Sequence, residues 1–222
     1  MMNRIVAIAA AALAVGAWTA PAMASTVYMD AKYYDGTATF TDSTSYTTEW
    51  EKVSSTYTPG YLDQSFTDWS DQHNSGKGGA STNLAYHDFV GFDVTSANKG
   101  TWAFRMGIDF GDGGTLIVDG TPLDTSTSNL WWNGQIDDQS QTLYGSIDLA
   151  PGYHTLDVYG FEDCCDGGTT SQFLAPNAQQ GYSSNFGSLA ALEPASWIMM
   201  LVGFGGMGVL LRTQRREGVL SA

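Results

Sequence analysis

The 222-residue chain is predicted to be all-β, a single antiparallel β-sandwich of jelly-roll type flanked by an N-terminal signal helix and a C-terminal transmembrane helix. Three observations predict the sandwich. Several short runs alternate apolar and polar residues with the period of two that a half-buried strand requires. Between Ser25 and Leu192 the acids are mostly aspartates, 18 of 21, set among Gly, Ser, Thr and aromatic residues, and aspartate favours turns over strands. Turn dipeptides such as Asp119-Gly120 and Pro151-Gly152 separate the runs at short intervals.

At the N-terminus, Arg4 precedes an apolar run from Ile5 to Val15, and Ala22-Met23-Ala24 is the small-x-small pattern read by signal peptidase. The run is too short for a span of ~20 apolar residues and has the length of a signal h-region. Residues 1–24 are therefore expected to be a signal peptide, cut after Ala24.

The next elements lie in residues 25–191, which are expected to form one ectodomain. Val27, Met29, Ala31 and Tyr33 alternate with Tyr28, Asp30, Lys32 and Tyr34. From Thr37 to Lys99, Ser/Thr-rich stretches interrupt the apolar runs, and strands with one long loop are expected. Val90, Phe92 and Val94 form a strand there. Trp102, Phe104, Met106 and Ile108 alternate again, as do Leu143, Ile147 and Leu149, and Leu156 and Val158 against Asp157 and Tyr159. No long amphipathic helix is expected between the two ends. His73, His87 and His154 lack metal-ligand spacing and read as surface or strand residues.

At the C-terminus, Ala195 to Leu211 is uncharged and is followed at once by Arg212, Arg215 and Arg216, the pattern of a stop-transfer helix with a cytoplasmic end. Residues 217–222 would be the cytoplasmic tail. Gly203, Gly205, Gly206 and Gly208 keep that helix slim.

The segment from Ser25 to Leu192 carries five lysines and arginines against its 21 acids, a net charge of −16. This excludes nucleic-acid binding, which needs a basic footprint, and suits solubility and divalent cations. Three segments concentrate chemistry: Asp109 to Gly120 with Asp109, Asp112 and Asp119; Trp131, Trp132 and Asn133 with Asp137 and Asp138; and Glu162 to Gly168 with Asp163, Cys164, Cys165 and Asp166. They place carboxylates, an amide oxygen and aromatic rings on connecting loops, the donor types for calcium or a glycan. Ordinary turn chemistry is the competing reading of the aspartates, and packing that of the tryptophans.

The tail from Leu192 to Arg216 resembles the PEP-CTERM sorting signal: Glu193-Pro194, then Trp197 within an apolar helix, then the Arg212, Arg215, Arg216 cluster, with Leu192 where the family usually carries proline. The resemblance implies recognition and cutting near Glu193-Pro194 by an exosortase-type membrane protease. The precursor would be anchored in the inner membrane and its product would reach the cell surface or the exopolysaccharide matrix. Cys164-Cys165-Asp166-Gly167 resembles the Cys-Cys-x-Gly motif of one PEP-CTERM group.

As the chain's only cysteines, in an oxidising compartment after export, the two can pair with each other. Consecutive Cα atoms lie ~3.8 Å apart, below the usual ~4.4–6.8 Å of a disulfide, so such a ring is strained. Free thiols, intermolecular bridges and metal ligation stay open.

Gly100 to Phe173 resembles the lectin-like sandwich domain named after anthrax protective antigen. An aromatic strand (Trp102 to Ile108) leads to Gly111-Asp112-Gly113, then a strand ending in Asp119-Gly120, a tryptophan loop and a strand reaching Glu162. That resemblance implies sugar binding with calcium as the candidate cofactor. Gly111 stands where the first aspartate of the family's Asp-Asp pair would be, and Asp109 is the nearest substitute.

The reading that combines these features is a non-catalytic surface module that binds extracellular polysaccharide. The alternative is a self-associating matrix protein without a small ligand. An enzyme would have to use carboxylates such as Asp112 and Glu162, for the chain holds no nucleophile elbow, Cys/His pair or HExxH motif. Ice binding would need many threonine rows, and Thr37, Thr39 and Thr41 make one.

Overall fold

A computed structural model describes residues 25–56, 62–66, 68–70, 72–73, 83–130, 135–162 and 168–189. The expected signal peptide, with Ala22 and Ala24, and the sorting tail with its span 195–211 lie outside them. Among the described residues no helix is long and apolar enough to cross a membrane.

Among the described residues ten strands form two antiparallel sheets. In chain order they are β1 (Val27–Tyr33), β2 (Leu62–Phe66), β3 (Gln72–His73), β4 (Leu84–Val94), β5 (Gly100–Ile108), β6 (Gly114–Val118), β7 (Thr121–Ser126), β8 (Leu143–Leu149), β9 (Gly152–Glu162) and β10 (Gly168–Leu174). The larger sheet runs β2-β1-β4-β9-β6-β7 and the smaller β3-β10-β5-β8. All three histidines lie in strands, as expected.

The alternating runs become the core. Val27, Met29 and Ala31 are fully buried while Tyr28 faces out. On the larger sheet Leu84, Tyr86, Val90, Phe92, Val94, Leu156 and Val158 point inward, and Trp102, Phe104, Met106 and Ile108 of β5 meet them from the smaller one. Burial of this apolar surface, at roughly 25 cal/mol per Å², is the main force holding the sheets together. At one side the sheets are joined: the Tyr144 amide of β8 donates to Asp124 Oδ2 of β7 at 3.0 Å.

One expectation is corrected. A 14-residue helix, α1 (Ser43–Thr56), lies where only strands and loop were expected. Its start is capped by Asp42, whose Oδ1 accepts from the Ser45 amide at 2.9 Å, while Ser45 Oγ accepts from the Asp42 amide at 3.2 Å. Tyr46, Trp50 and Val53 recur at helical spacing and bury against Ala85 and Phe161 on the outer face of the larger sheet. Phe40 stacks on Tyr46 at 4.2 Å between ring centroids. The centre of the larger sheet is thus covered on both faces. Thr37, Thr39 and Thr41 lie in the irregular segment before α1, so they form no strand face.

Two acids sit inside the sandwich. Glu162 is 1% exposed and accepts from the Tyr86 hydroxyl at 3.3 Å. Asp88 stands in the inward row of β4 between Tyr86 and Val90, 1% exposed, with Oδ1 lacking a hydrogen-bond partner. Burial first, and the charge of Asp30 second, hold its carboxyl well above the usual 3.8. The native state therefore keeps this proton at pH values where the unfolded chain has lost it. Stability from this group is complete below the unfolded value and is lost as pH rises toward the folded one. Asp88→Asn, nearly equal in volume, is expected to gain stability over the parent chain progressively as pH rises through the range above the usual 3.8 in urea titrations. A stability difference that stays flat across that range would contradict this assignment.

Candidate functional site

The Asp109–Gly114 turn is built over a flat patch of sheet. Gly114 of β6 and Gly160 of β9 are register partners, and the ring of Phe110 lies across them. A Cβ at Gly160 would stand 2.0 Å from that ring. Phe110 exchanges both backbone hydrogen bonds with Leu130, at 2.8 and 2.9 Å. The Asp112 amide donates to the Phe161 carbonyl at 2.9 Å, and the Phe161 amide to the Gly113 carbonyl at 3.1 Å. The first segment, the residue entering the second and the strand end entering the third therefore meet at one end of the sandwich. Trp131, Trp132, Asn133, Asp163, Cys164, Cys165 and Asp166 lie outside the described residues.

Of the carboxylates expected there, Asp112 accepts a hydrogen bond from the Tyr34 hydroxyl. Its carbonyl is 2.8 Å from the Tyr46 hydroxyl, which also lies 2.7 Å from the Ser126 carbonyl. Burial, and then the Asp112 charge, push the Tyr46 hydroxyl above its usual pKa, so it stays a proton donor. Asp109 is half-buried beside Phe110.

Asp119 is elsewhere. It sits at the other end of β6, about 16 Å away at ~3.3 Å per residue, with φ 50° in the two-residue turn to β7. Its Oδ1 accepts from the Thr155 amide at 2.9 Å, and its Oδ2 lies 2.6 Å from His154 Nδ1. These bonds tie the β6–β7 turn to β9.

Among the described residues no three of His, Cys, Asp and Glu are grouped to hold a metal ion. Asp112 engages tyrosine and Asp119 the adjacent strand β9, so the described residues do not by themselves fit calcium. Nor do Asp112 and Glu162 make a hydrolytic pair. Glu162 is turned into the core toward Tyr86, while Asp112 is held by Tyr34, which packs on Phe161 at the helix side of the sheet.

A second feature was not expected from the sequence. Gln172, Arg105 and Tyr144 are register partners across β10, β5 and β8, on the outer face of the smaller sheet. Arg105 Nε donates to Gln172 Oε1 at 2.8 Å, and its guanidinium pairs with Asp137. The ring of Tyr182 lies 3.9 Å from its Cζ. Tyr182 is placed by its neighbour Ser183, which exchanges two 2.9 Å hydrogen bonds with Phe173 of β10. A groove of about 290 Å³ runs between Tyr182, Tyr144 and the loop carrying Asp137 and Gln139. Ala103 and Ser146, small neighbours in the adjoining row, leave its floor low. The only sequence signal was the exposed side of the β5 and β8 alternation, which does not say which strands are neighbours.

No family model matches the chain, and no curated protein matches it. Among solved structures it is similar to the PA14 domain of the antifreeze protein MpAFP, with a TM-score of 0.50 and 10% identity over 79% of this chain and 95% of that domain. The likeness is one of fold. Others are the PA14 sugar-binding domain of an RTX adhesin (TM-score 0.47, 11% identity, 72% and 94% covered) and the A domain of epithelial adhesin 6 from Candida glabrata in complex with Galβ1-3GlcNAc (0.46, 10%, 77% and 87%). The expected antiparallel sandwich is thus found, with a fold similar to that of a PA14 domain.

Gly113 closes the turn at φ 79°, where a Cβ would stand 2.1 Å from the Ser126 carbonyl oxygen. Gly113→Ala is expected to lower the unfolding free energy by ~2 kcal/mol or more in denaturant titrations, through backbone strain and collision. An unchanged midpoint would show that the turn tolerates the side chain.

Proposed function

We propose that the chain is an exported cell-surface or exopolysaccharide-matrix protein whose sandwich is a non-catalytic glycan-binding, adhesive module. One observation carries this reading. Among the described residues the exposed large hydrophobic side chains are all tyrosines: Tyr28, Tyr33, Tyr144, Tyr153 and Tyr182. Tyrosine offers a flat apolar ring with a polar tip, and so matches a sugar, whose C–H face is apolar and whose rim is hydroxyl-bearing. The PA14-type fold and the acidic, soluble composition support the same reading.

Delivery rests on the two ends of the sequence. Signal peptidase would cut after Ala24. The exosortase-type protease would act near Glu193-Pro194, with Trp197 and the Arg212, Arg215, Arg216 cluster holding the tail in the membrane until then. Cys164 and Cys165 would form a vicinal disulfide with each other.

Two measurements test these parts separately. Mass spectrometry of the surface fraction should find a protein beginning at Ser25 and lacking everything from roughly Leu192 onward; intact Arg216 there would rule out the sorting step. On a glycan array, the full chain purified in a sugar-free detergent should give signals that free glycan competes away. An array silent with folded protein would return the self-associating matrix protein as the reading.

A further inference from the structure

We propose that the groove on the outer face of the smaller sheet is a calcium-independent binding site for neutral polysaccharide, separate from the Asp112 end of the sandwich. This rests on the glycan-binding reading and gives it a location and a ligand class.

The groove has the parts a sugar needs, and they are held in place before any ligand arrives. Tyr144 is 45% exposed and Tyr182 37%, on opposite sides of the depression. Their rings can cover the apolar faces of a pyranose. Between them, the Arg105 guanidinium is fixed on three sides: Gln172 bonds Nε, Asp137 pairs with Nη1, and the Tyr182 ring covers its plane. A guanidinium so restrained, beside a carboxylate, is a donor–acceptor pair that matches vicinal hydroxyls without the entropy cost of ordering a free side chain. The volume lies close to the lower end of the ~300–1,000 Å³ usual for small-molecule sites, enough for a short stretch of chain. The groove is open rather than enclosed by the sheet, as a site for the middle of a polymer must be.

The charge selects the ligand. Among the described residues Arg105 is the one cation lining the groove, and Asp137 neutralises it. The net charge of the whole chain is −14. A uronate- or sulfate-bearing polymer meets repulsion from such a surface and finds no unpaired cation in the groove, whereas a neutral glycan loses nothing. Asp109 and Asp112, the aspartates matched to the family's calcium pair, do not line the groove, so its binding requires no metal.

The test is affinity electrophoresis of the full chain, in a sugar-free detergent with chelator present, through gels containing a soluble β-glucan, a galactomannan, a xyloglucan or the anionic polymer alginate. Retardation by at least one neutral polymer and none by alginate is expected. Tyr144→Ala should weaken that retardation about tenfold, the loss of one stacking contact. Tyr144 is exposed, so its removal leaves the fold intact, which thermal melting verifies. Arg105→Lys, keeping the charge but not the planar fork, should weaken binding as well. Asp112→Asn should bind like the parent.

Each departure has its own meaning. If Tyr144→Ala and Arg105→Lys both bind as tightly as the parent, the groove is overturned while glycan binding stands. Binding that needs calcium and falls with Asp112→Asn also overturns the groove and moves the site to the other end. Preference for alginate overturns the neutral-ligand assignment. A parent chain retarded by none of these gels that also gives no signal on the glycan array overturns the glycan reading and the groove together.

Discussion

The pairing of β4 with β9 governs the rest of the molecule. Eleven residues on each strand pair without interruption, from Leu84 with Glu162 to Val94 with Gly152. Because side chains alternate with a period of two, this register sends Tyr86, Val90, Leu156 and Val158 to the sheet interface and Ala85, Tyr159 and Phe161 to the helix side. A slip by one residue would exchange the two sets, placing Asp157 in the core and Val158 under α1. It would also move Gly160 from beneath Phe110, and with it the turn that brings Asp112 to the end of β9. Both the helix layer and the loop cluster are consequences of that one register.

Much of this was legible in the sequence because burial on one face leaves a period of two. β1, β4, β5, β8 and β9 each carried it, and each lies where the alternation placed it. The helix escaped because its apolar stripe is only Tyr46, Trp50 and Val53, diluted by Ser and Thr that read equally well as loop. Its clearest mark was local, Asp42 and Ser45 at capping distance. The Asp109–Gly113 turn and its proximity to the strand ending at Glu162 could be anticipated from the order of motifs. The remoteness of Asp119 follows from the length of β6 alone, a strand of five residues between two aspartate turns. The row Gln172, Arg105, Tyr144 could not be read at all, since it exists only once three strands far apart in sequence have been laid side by side.

The acids divide by environment rather than by number. Several stand in turns, where they accept backbone amides, as Asp42, Asp119 and Asp138 do. Those that are turned inward have different fates. Glu162 shares the interior with a tyrosine hydroxyl, while burial holds the Asp88 carboxyl well above its usual value. An acidic composition therefore says little about where charge is expressed. Among the described residues, the groove on the smaller sheet is a place where a carboxylate is paired with a guanidinium instead of with the chain's own amides.

The last described residues lie in a 3-10 helix, Phe186–Leu189, and are seated in the main core. Phe186 is fully buried, with its ring 5.0 Å from Phe173 and 5.9 Å from Trp69. This has a mechanical consequence for a domain held by its C-terminal side while a polymer pulls on its surface. Load entering beyond Leu189 reaches a buried aromatic plug before it reaches any strand, and Phe173, on the strand that carries Gln172, is part of that plug. Tension entering there would be shared by the cluster beneath the groove, so the C-terminal end and the outer face of the smaller sheet are coupled through a few rings of the same interior.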